Sequence, residues 1–337
     1  MRVDDLRADV ERERPEGEKY MAEKYSMAHV KEFSQKYKNW GKWGPSDQLG
    51  TLNYITPEKV VEAARLVKQG KTFSLAIPFD DKGPQTGSFG RFNPIHFMMQ
   101  DGGDVVSGAQ NHLPNIRYTD DAVTMPLQCA TQWDSLAHIM YENTMYNGYA
   151  ASEVTSTGAK KNGIENAKSK IITRGVLLDI PRHRGKSWLE PGEAIYPVDL
   201  DGAAAMGKVS VGKGDIVLIR TGQLAQVRAQ KSWGDYSGGP APGLSLSCAP
   251  WLCEKQIAGY AVDTWGTEVI PNETPDVFQP LHIVLIVHAG MLVGEIFDLE
   301  ELANDCAKDG AYEFMFVAPP LPITGAVGSP VNPQAIK

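Results

Sequence analysis

The sequence predicts an α/β fold, in which short buried strands outnumber the helices. Three observations support this prediction. The chain has 337 residues, of which 42% are hydrophobic and 22% are charged, so it can bury a large core. Apolar runs of strand length recur along it, separated by long connections, and the chain contains 33 Gly and 22 Pro residues. Amphipathic runs of helical length are fewer.

The first segment, residues 1–45, is predicted to be an N-terminal helical arm that precedes a single domain, residues 46–337. The arm is charge-dense, permits helix formation and ends at the breaker Gly44-Pro45. Its many aromatic side chains indicate that it packs on the body of the protein or on a second subunit. A solvated helical lead-in is the alternative.

The domain is predicted to open with a helix that Thr56 caps, that starts at Pro57 and that Gly70 closes. Gly290 stands where a glycine commonly terminates a helix. The predicted strands are Thr72–Ile77, Ala122–Ala130, Ile171–Ile180, Asp215–Arg220, Ile257–Val262 and Met291–Glu295. The further predicted helices are Gly202–Met206, Ser245–Glu254, Gln279–Ala289 and Leu299–Asp309.

Charge and cysteine content exclude several classes of protein. The net charge of −8 argues against binding to nucleic acid, which depends on basic patches, and favours a small-molecule substrate. The four cysteines form no C-x-x-C pair, so neither a zinc knuckle nor a disulfide framework is predicted. The N-terminus lacks the apolar stretch of a signal peptide, and the apolar run Ile283–Met291 is too short to span a membrane. We therefore expect a cytoplasmic protein that binds neither nucleic acid nor membrane.

The strongest chemical signal is the segment 127–138, with the sequence LQCATQWDSLAH. If it is extended, alternate side chains share one face, and these are Gln128, Ala130, Gln132 and Asp134. Such a polar face suits a metal or a polar ligand. His138 can fold back over the same place if a turn or helix starts at Ser135. The alternative is that Asp134 caps a helix and that the glutamines are ordinary strand residues.

A second signal is a histidine in a predicted apolar helix, His282, and a glutamate at the end of an apolar strand, Glu295. Burial of an unpaired carboxylate is costly, so Glu295 is expected to have a cation, a donor or a metal beside it. The alternative for His282 is a hydrogen-bonded core histidine. His96 is a further candidate for a pocket, because an Asn-Pro turn precedes it.

These residues resemble the cyclase family of metal-dependent hydrolases, which includes bacterial kynurenine formamidase and isatin hydrolase. The resemblance covers roughly residues 40–335. The family motif H-x-G-T-H-x-D-x-P-x-H lies over residues 128–138, and the family's later His and Glu lie over His282 and Glu295. The sequence departs from the motif at four positions, which carry Gln128, Ala130, Gln132 and Leu136. It therefore resembles a divergent subgroup with Gln in place of two motif histidines.

The resemblance implies a swivelling β/β/α domain assembled as a homodimer or homotetramer. It also implies a metal centre. In the family, the two motif histidines and the aspartate hold one metal, and the aspartate with the later His and Glu holds a second; only the second set is intact here. One divalent ion, Mn or Zn, is thus expected at Asp134, His282 and Glu295, with Gln132 as an additional ligand. The alternative is that no metal binds.

The activity that the resemblance implies is hydrolysis of a C–N amide, cyclic amide or lactone bond in a small molecule. A bound metal would activate water, with Asp134 in the catalytic centre and His138 as the general acid and base. The residues expected to bind substrate are Gln128, Thr131, Trp133 and His96. Because two ligand positions are lost, two alternatives stand: a metal-free hydrolase, lyase or cyclase, and an inactive small-molecule binding protein.

Overall fold

The structure is a computed structural model that describes residues 25–337, so the first 24 residues of the predicted arm lie outside the described residues. It confirms the α/β class. The strands are β1 Thr72–Ser74, β2 Ile95–Gln100, β3 Asp120–Thr124, β4 Gln132–Asp134, β5 Val154–Thr155, β6 Gly158–Ala159, β7 Ile172–Asp179, β8 Ala194–Ile195, β9 Ile216–Arg220, β10 Gly243–Leu244, β11 Gly259–Val262, β12 Leu292–Glu295, β13 Glu313–Val317, β14 Gly328–Pro330 and β15 Gln334–Ile336.

The helices surround the sheet and are shorter in total than the connections between them. They are α1 Met27–Lys36, α2 Pro57–Ala64, α3 Gly102–Val106, α4 Ile180–His183, α5 Pro197–Met206, α6 Gln223–Gln230, α7 Cys248–Glu254, α8 Pro280–His282 with its π-helical continuation Ile283–Ala289, and α9 Glu300–Asp309. Short 3₁₀ turns lie at Gly50–Tyr54, Ser88–Gly90, Tyr146–Gly148, Ala151–Glu153 and Ile164–Ala167. None of the helices between residues 25 and 337 has the length and apolarity to cross a bilayer.

One mixed sheet of nine strands organises the described chain, in the order β1-β15-β13-β7-β9-β11-β12-β4-β14. Its centre is parallel: β7 pairs with β9, β9 with β11, and β11 with β12. These central strands are continuous apolar runs; every residue of β9, for example, is buried. Such runs are typical of parallel strands that are covered on both faces. On one side of the centre, β4 pairs antiparallel with β12 and with β14.

The predicted strand Ala122–Ala130 is wrong over most of its length. The strand ends at Thr124, and the chain turns beyond Pro126, whose carbonyl accepts a hydrogen bond from the Cys129 N–H at 3.2 Å. Proline has no N–H to donate to a strand ladder, so it interrupts the extended run. A separate strand, β4, begins at Gln132.

The helix that carries His282 begins at Pro280, close to the predicted start. Gly290 ends its π-helical continuation in the left-handed region, with φ 70° and ψ 40°, as predicted. A side chain at Gly290 would also collide with the ring of Tyr146, because a Cβ there would lie 2.3 Å from its Cε2. Both the turn and the close packing therefore require glycine.

The described part of the arm packs on the body. Its helix α1 lies against the π-helical segment and buries Val30. The Trp40 indole donates to the Val287 carbonyl at 2.8 Å and stacks on His288 with ring centroids 5.7 Å apart. These contacts place residues 27–40 beside the helix that bears the candidate site histidine.

Candidate metal centre and cavity

Two neighbouring antiparallel strands bring three polar side chains together. In the register of β4 and β12, Gln132 lies opposite Glu295 and Asp134 lies opposite Val293. Because side chains alternate along a strand, Gln132, Asp134 and Glu295 share one face of the sheet. The Gln132 Nε2 donates to Glu295 Oε2 at 2.7 Å. The predicted polar face is thus present in residues 132–134, although the turn at 127–131 is not extended.

His282 completes the centre from the first turn of α8. Its Nε2 lies 3.4 Å from Glu295 Oε1. On the other side, Glu268 Oε1 accepts hydrogen bonds from the His282 backbone N–H at 2.8 Å and from Nδ1 at 2.6 Å. A hydrogen bond to Nδ1 fixes the tautomer and the ring orientation, so that Nε2 is directed toward Glu295.

The donor atoms are close enough for one cation. One ligand atom from each of Asp134, His282 and Glu295 lies within 4.8 Å of the other two, and all three residues are buried. Asp134 Oδ1 and Gln132 Oε1 are buried without a hydrogen-bond partner within residues 25–337. Buried polar atoms normally have a partner, so two oxygens that lack one beside a buried imidazole fit the donor set of a divalent ion.

Burial shifts the protonation of this centre. It raises the pKa of Asp134 to about 6, an effect that the Glu295 carboxylate reinforces and that the His138 ring opposes. Burial by itself would lower the pKa of His282, but the hydrogen bonds with Glu268 and Glu295 outweigh it and raise this pKa to about 10. The carboxylates therefore hold His282 as an imidazolium whenever no other cation occupies the space between them.

The centre forms the floor of an open cavity of about 450 Å³. His138 lines it, with its Nε2 3.9 Å from Asp134 Oδ1. A turn that starts at Ser135 brings it there, as predicted, and in this turn the His138 N–H donates to the Ser135 carbonyl at 3.1 Å. Gln128 also lines the cavity. Aromatic and cationic side chains also line it, namely Phe89, Arg91, Trp265 and Phe278.

The structure places three of the predicted substrate-binding residues elsewhere. Trp133 points to the opposite face, fully buried, and its indole donates to the Ala318 carbonyl at 3.0 Å. The Thr131 hydroxyl is also buried and donates to the Ile296 carbonyl at 2.6 Å. His96 lies on the exposed β2–β3 hairpin and pairs with Asp121 at 2.7 Å. The period-two alternation that directs Asp134 toward the cavity directs Trp133 away from it.

Sequence reasoning also missed two residues at the site. Glu268 follows the carboxyl end of the buried parallel strand β11, a position where ligand-binding groups collect in α/β sheets. That position is the signal that would have identified it. Arg91 lies just before the Asn-Pro turn that precedes His96. No sequence pattern predicts that Arg91 lines the cavity, because its position there depends on how its loop folds.

The fold and the centre define an α/β protein with a buried acid–imidazole site at the floor of a cavity. The chain belongs to the cyclase family: the family model described as a putative cyclase matches residues 54–269. A solved structure described as a novel cyclase is 44% identical, with a TM-score of 0.82 over 90% of this chain and 99% of that chain. A comparison with curated proteins gives no match.

More distant structures share the fold. Isatin hydrolase A from Ralstonia solanacearum is 17% identical, with a TM-score of 0.58 over 83% of this chain and 97% of that chain. A predicted metal-dependent hydrolase from Bacillus stearothermophilus is also 17% identical, with a TM-score of 0.51 over 80% of this chain and 98% of that chain. At this identity the likeness concerns the fold alone.

Proposed function

We propose that the protein is a metal-dependent hydrolase that cleaves a C–N amide, cyclic amide or lactone bond in a small molecule. The observation that carries the proposal is the convergence of Asp134, His282 and Glu295 on one buried spot at the floor of a cavity. Similarity in fold to an isatin hydrolase and to a predicted metal-dependent hydrolase supports the same class of reaction.

The residues that would hold the ion are Asp134, His282 and Glu295, with the unpaired Oε1 of Gln132 as a further ligand. Imidazole and carboxylate suit zinc, and the neutral amide oxygen is better matched to the harder manganese ion, so we propose Mn or Zn. When bound, such an ion supplies Lewis acidity, which lowers the pKa of water and polarises an acyl oxygen.

The proposed proton carrier is His138. It lines the cavity, its side chain is 21% exposed, and an imidazole carries both an acceptor and a donor nitrogen for proton transfer. Its Nε2 would take a proton from the attacking water and deliver it to the leaving nitrogen or oxygen. Gln128 Nε2 is buried without a partner within residues 25–337, and we propose that it donates to a substrate oxygen and orients it.

The first experiment measures metal content and its link to turnover. Protein purified without chelator is analysed for metals and assayed with and without EDTA on N-formyl amides, isatin-like lactams and lactones. We expect close to one equivalent of Mn or Zn and a loss of turnover after EDTA treatment that the same metal restores. No turnover on any compound, with tight binding of one, would instead indicate a binding protein.

A matched pair of variants tests the ligand assignment. Asp134→Ala removes one of the clustered ligands, and we expect metal content to fall to less than a tenth of an equivalent while the far-ultraviolet circular dichroism is unchanged. Asp121→Ala is the control, because Asp121 also lies beside a histidine but on the exposed hairpin. If Asp134→Ala keeps both metal and rate, Asp134 is not a ligand.

A specific observation favours a second candidate, a metal-free hydrolase, lyase or cyclase on the same scaffold. Both Glu295 oxygens have partners without any ion, namely Gln132 Nε2 and His282 Nε2. The imidazolium of His282 would then take the place of the cation, and Glu295 or His138 would act as the base. Full activity of metal-free protein would support this candidate over the first.

A further inference from the structure

Arg91 is a cation in the cavity wall that forms no ion pair within the described chain. No Asp or Glu oxygen of residues 25–337 lies within 4.0 Å of its guanidinium, and the one hydrogen bond of its side chain runs from Nη1 to the Gln128 carbonyl at 3.4 Å. Five other arginines of the described chain pair with carboxylates, namely Arg174, Arg182, Arg184, Arg220 and Arg228. Arg220, for example, contacts both Asp179 and Glu300. A guanidinium has five N–H donors arranged to bind a carboxylate, so Arg91 keeps most of its donors available.

Aromatic side chains surround Arg91. Its guanidinium carbon lies 4.8 Å from the centroid of the Trp265 ring, within the range of a cation–π contact. Phe89 packs on Trp265 with centroids 5.7 Å apart and on Phe278 with centroids 6.2 Å apart. Phe89 and Phe278 nevertheless remain 73% and 60% exposed. Exposed aromatic rings at the mouth of a cavity are typical of a surface that a flat apolar ligand covers.

The loop that presents Phe89 and Arg91 has an uncommon backbone. Phe89 lies in the left-handed region with φ 54° and ψ 24°, between Gly87 at φ 101° and Gly90 at φ 72°. A phenylalanine in this region carries a conformational cost, and such residues concentrate at ligand-binding sites. The strained backbone holds the ring of Phe89 over the cavity that Arg91 also lines.

Charge is distributed unevenly along the cavity. The carboxylates of the floor, Asp134 and Glu295, are offset by His282 and by the proposed cation, whereas Arg91 stands in the wall with no carboxylate to offset its charge. An anionic ligand group is therefore attracted by the guanidinium, and in metal-free protein it is also repelled by the excess of carboxylates at the floor. This polarity gives a bound anion one orientation, with its charge at Arg91 and the opposite end toward Asp134 and His138.

We propose that the substrate carries a carboxylate on a flat apolar group, that Arg91 binds this carboxylate, and that Phe89, Trp265 and Phe278 bind the flat group. The inference rests on the proposed function for the identity of the reaction. Arg91 thereby selects carboxylate-bearing acyl compounds and directs their scissile bond toward His138.

A binding experiment tests Arg91 without any hydrolysis. Benzoate and benzamide, which differ in the charged group, are titrated into EDTA-treated protein by isothermal calorimetry or ligand-observed NMR. We expect wild-type protein to bind benzoate more tightly than benzamide. We expect Arg91→Gln to reduce this preference at least tenfold, and Arg91→Lys to reduce it less, because lysine keeps the charge but loses the planar donor array. Arg65→Gln, an exposed arginine that does not line the cavity, is the control.

A kinetic experiment tests the same residue in turnover. The probes are 4-formamidobenzoate and formanilide, which differ only in the carboxylate. We expect Arg91→Gln to lower the ratio of their kcat/KM values at least tenfold, mainly through a higher KM for 4-formamidobenzoate. An unchanged ratio, or no preference for benzoate in wild-type protein, would overturn the proposal. If neither formyl compound is hydrolysed but benzoate binding depends on Arg91, the proposed reaction fails and the carboxylate site stands.

Discussion

The hydrogen-bonded pair of Glu268 and His282 determines how the His282 ring is oriented in the candidate metal centre. Glu268 Oε1 accepts two hydrogen bonds from His282 and so directs its Nε2 toward the carboxylates. Glu268→Gln keeps an oxygen acceptor but removes the charge that strengthens the imidazole as a ligand. We expect the Kd for Mn²⁺ to rise by about 10- to 100-fold, as measured by isothermal calorimetry.

Glu273→Gln is the matched control for that measurement. Glu273 also accepts two hydrogen bonds, from the hydroxyls of Tyr196 and Ser245, but it lies outside the centre. Its variant should bind Mn²⁺ within twofold of wild type. Equal affinity in wild type and Glu268→Gln would show that Glu268 does not orient the ligand.

Single residues also show what the sequence could predict of the site. Acidic and imidazole side chains in apolar runs need partners, so the residues alone indicated that Glu295 and His282 have neighbours. That Asp134 joins them was predicted only by the family resemblance. The face of the sheet on which the Trp133 side chain lies could not be predicted without the register of strand β4. In β4 it lies opposite Gly294, where a Cβ would approach the Trp133 ring to 2.9 Å. The glycine therefore makes room for an indole on the core face.

At the scale of elements, the π-helical segment Ile283–Ala289 carries an unusual histidine. Burial against Trp40 and Tyr141 lowers the pKa of His288 to about 4, and neither ring nitrogen has a hydrogen-bond partner within the described chain. The unfolded chain takes up a proton at pH values near 6.5, whereas the folded chain takes it up only near 4. The folded state thus loses stability relative to the unfolded state as pH falls through this interval.

Replacement of His288 should remove its contribution to the pH dependence of the free energy of unfolding. His288→Phe keeps the ring stack on Trp40 but cannot be protonated, so the stability of wild type relative to the variant should fall between pH 7 and pH 4. The expected fall is on the order of 1–3 kcal/mol, which allows for the partial solvent access of the ring. Urea unfolding at each pH measures it, with the exposed His112→Gln as control. A constant difference across this range would contradict the assignment.

Elements differ in how well the sequence predicts them. The central parallel strands were predicted within a few residues, because their apolar runs are continuous and flanked by glycine and polar residues. Helix α6, Gln223–Gln230, was missed, since its polar composition gives no apolar periodicity. The C-terminal strands β14 and β15 were missed because three-residue pairings carry almost no local signal, and two of their partners, β4 and β1, are distant in the chain.

At the scale of the whole molecule, the motif in residues 128–138 predicted the family although two of its histidines are replaced. The reason is that the residues that determine the fold are not the same as the residues that would bind a metal. Asp134 and Glu295 are held by the pairing of β4 with β12, which depends on backbone hydrogen bonds and on the small residue Gly294. Replacement of His by Gln at positions 128 and 132 leaves that pairing intact and changes only the donors offered to a cation.

The hairpin of β2 and β3 is the surface that we expect to form the interface of the predicted homo-oligomer. It pairs with no other strand of the described chain, and its apolar residues Ile95, Phe97, Met99 and Val123 are 48% to 58% exposed. An isolated two-stranded hairpin is marginally stable in water, and exposed apolar patches mark interfaces. We expect a second copy of the chain to cover it, giving a homodimer or homotetramer with closed symmetry.

Size-exclusion chromatography with light scattering measures this directly. The double variant Phe97→Ser, Met99→Ser should shift the protein to monomer, because it removes two large apolar side chains from the same strand. Val61→Ser is the control: Val61 is 52% exposed on α2, away from the hairpin. A monomeric wild-type protein would contradict the prediction of an oligomer. An oligomer that survives the double variant would place the interface on another surface, since the hairpin would then be dispensable for assembly.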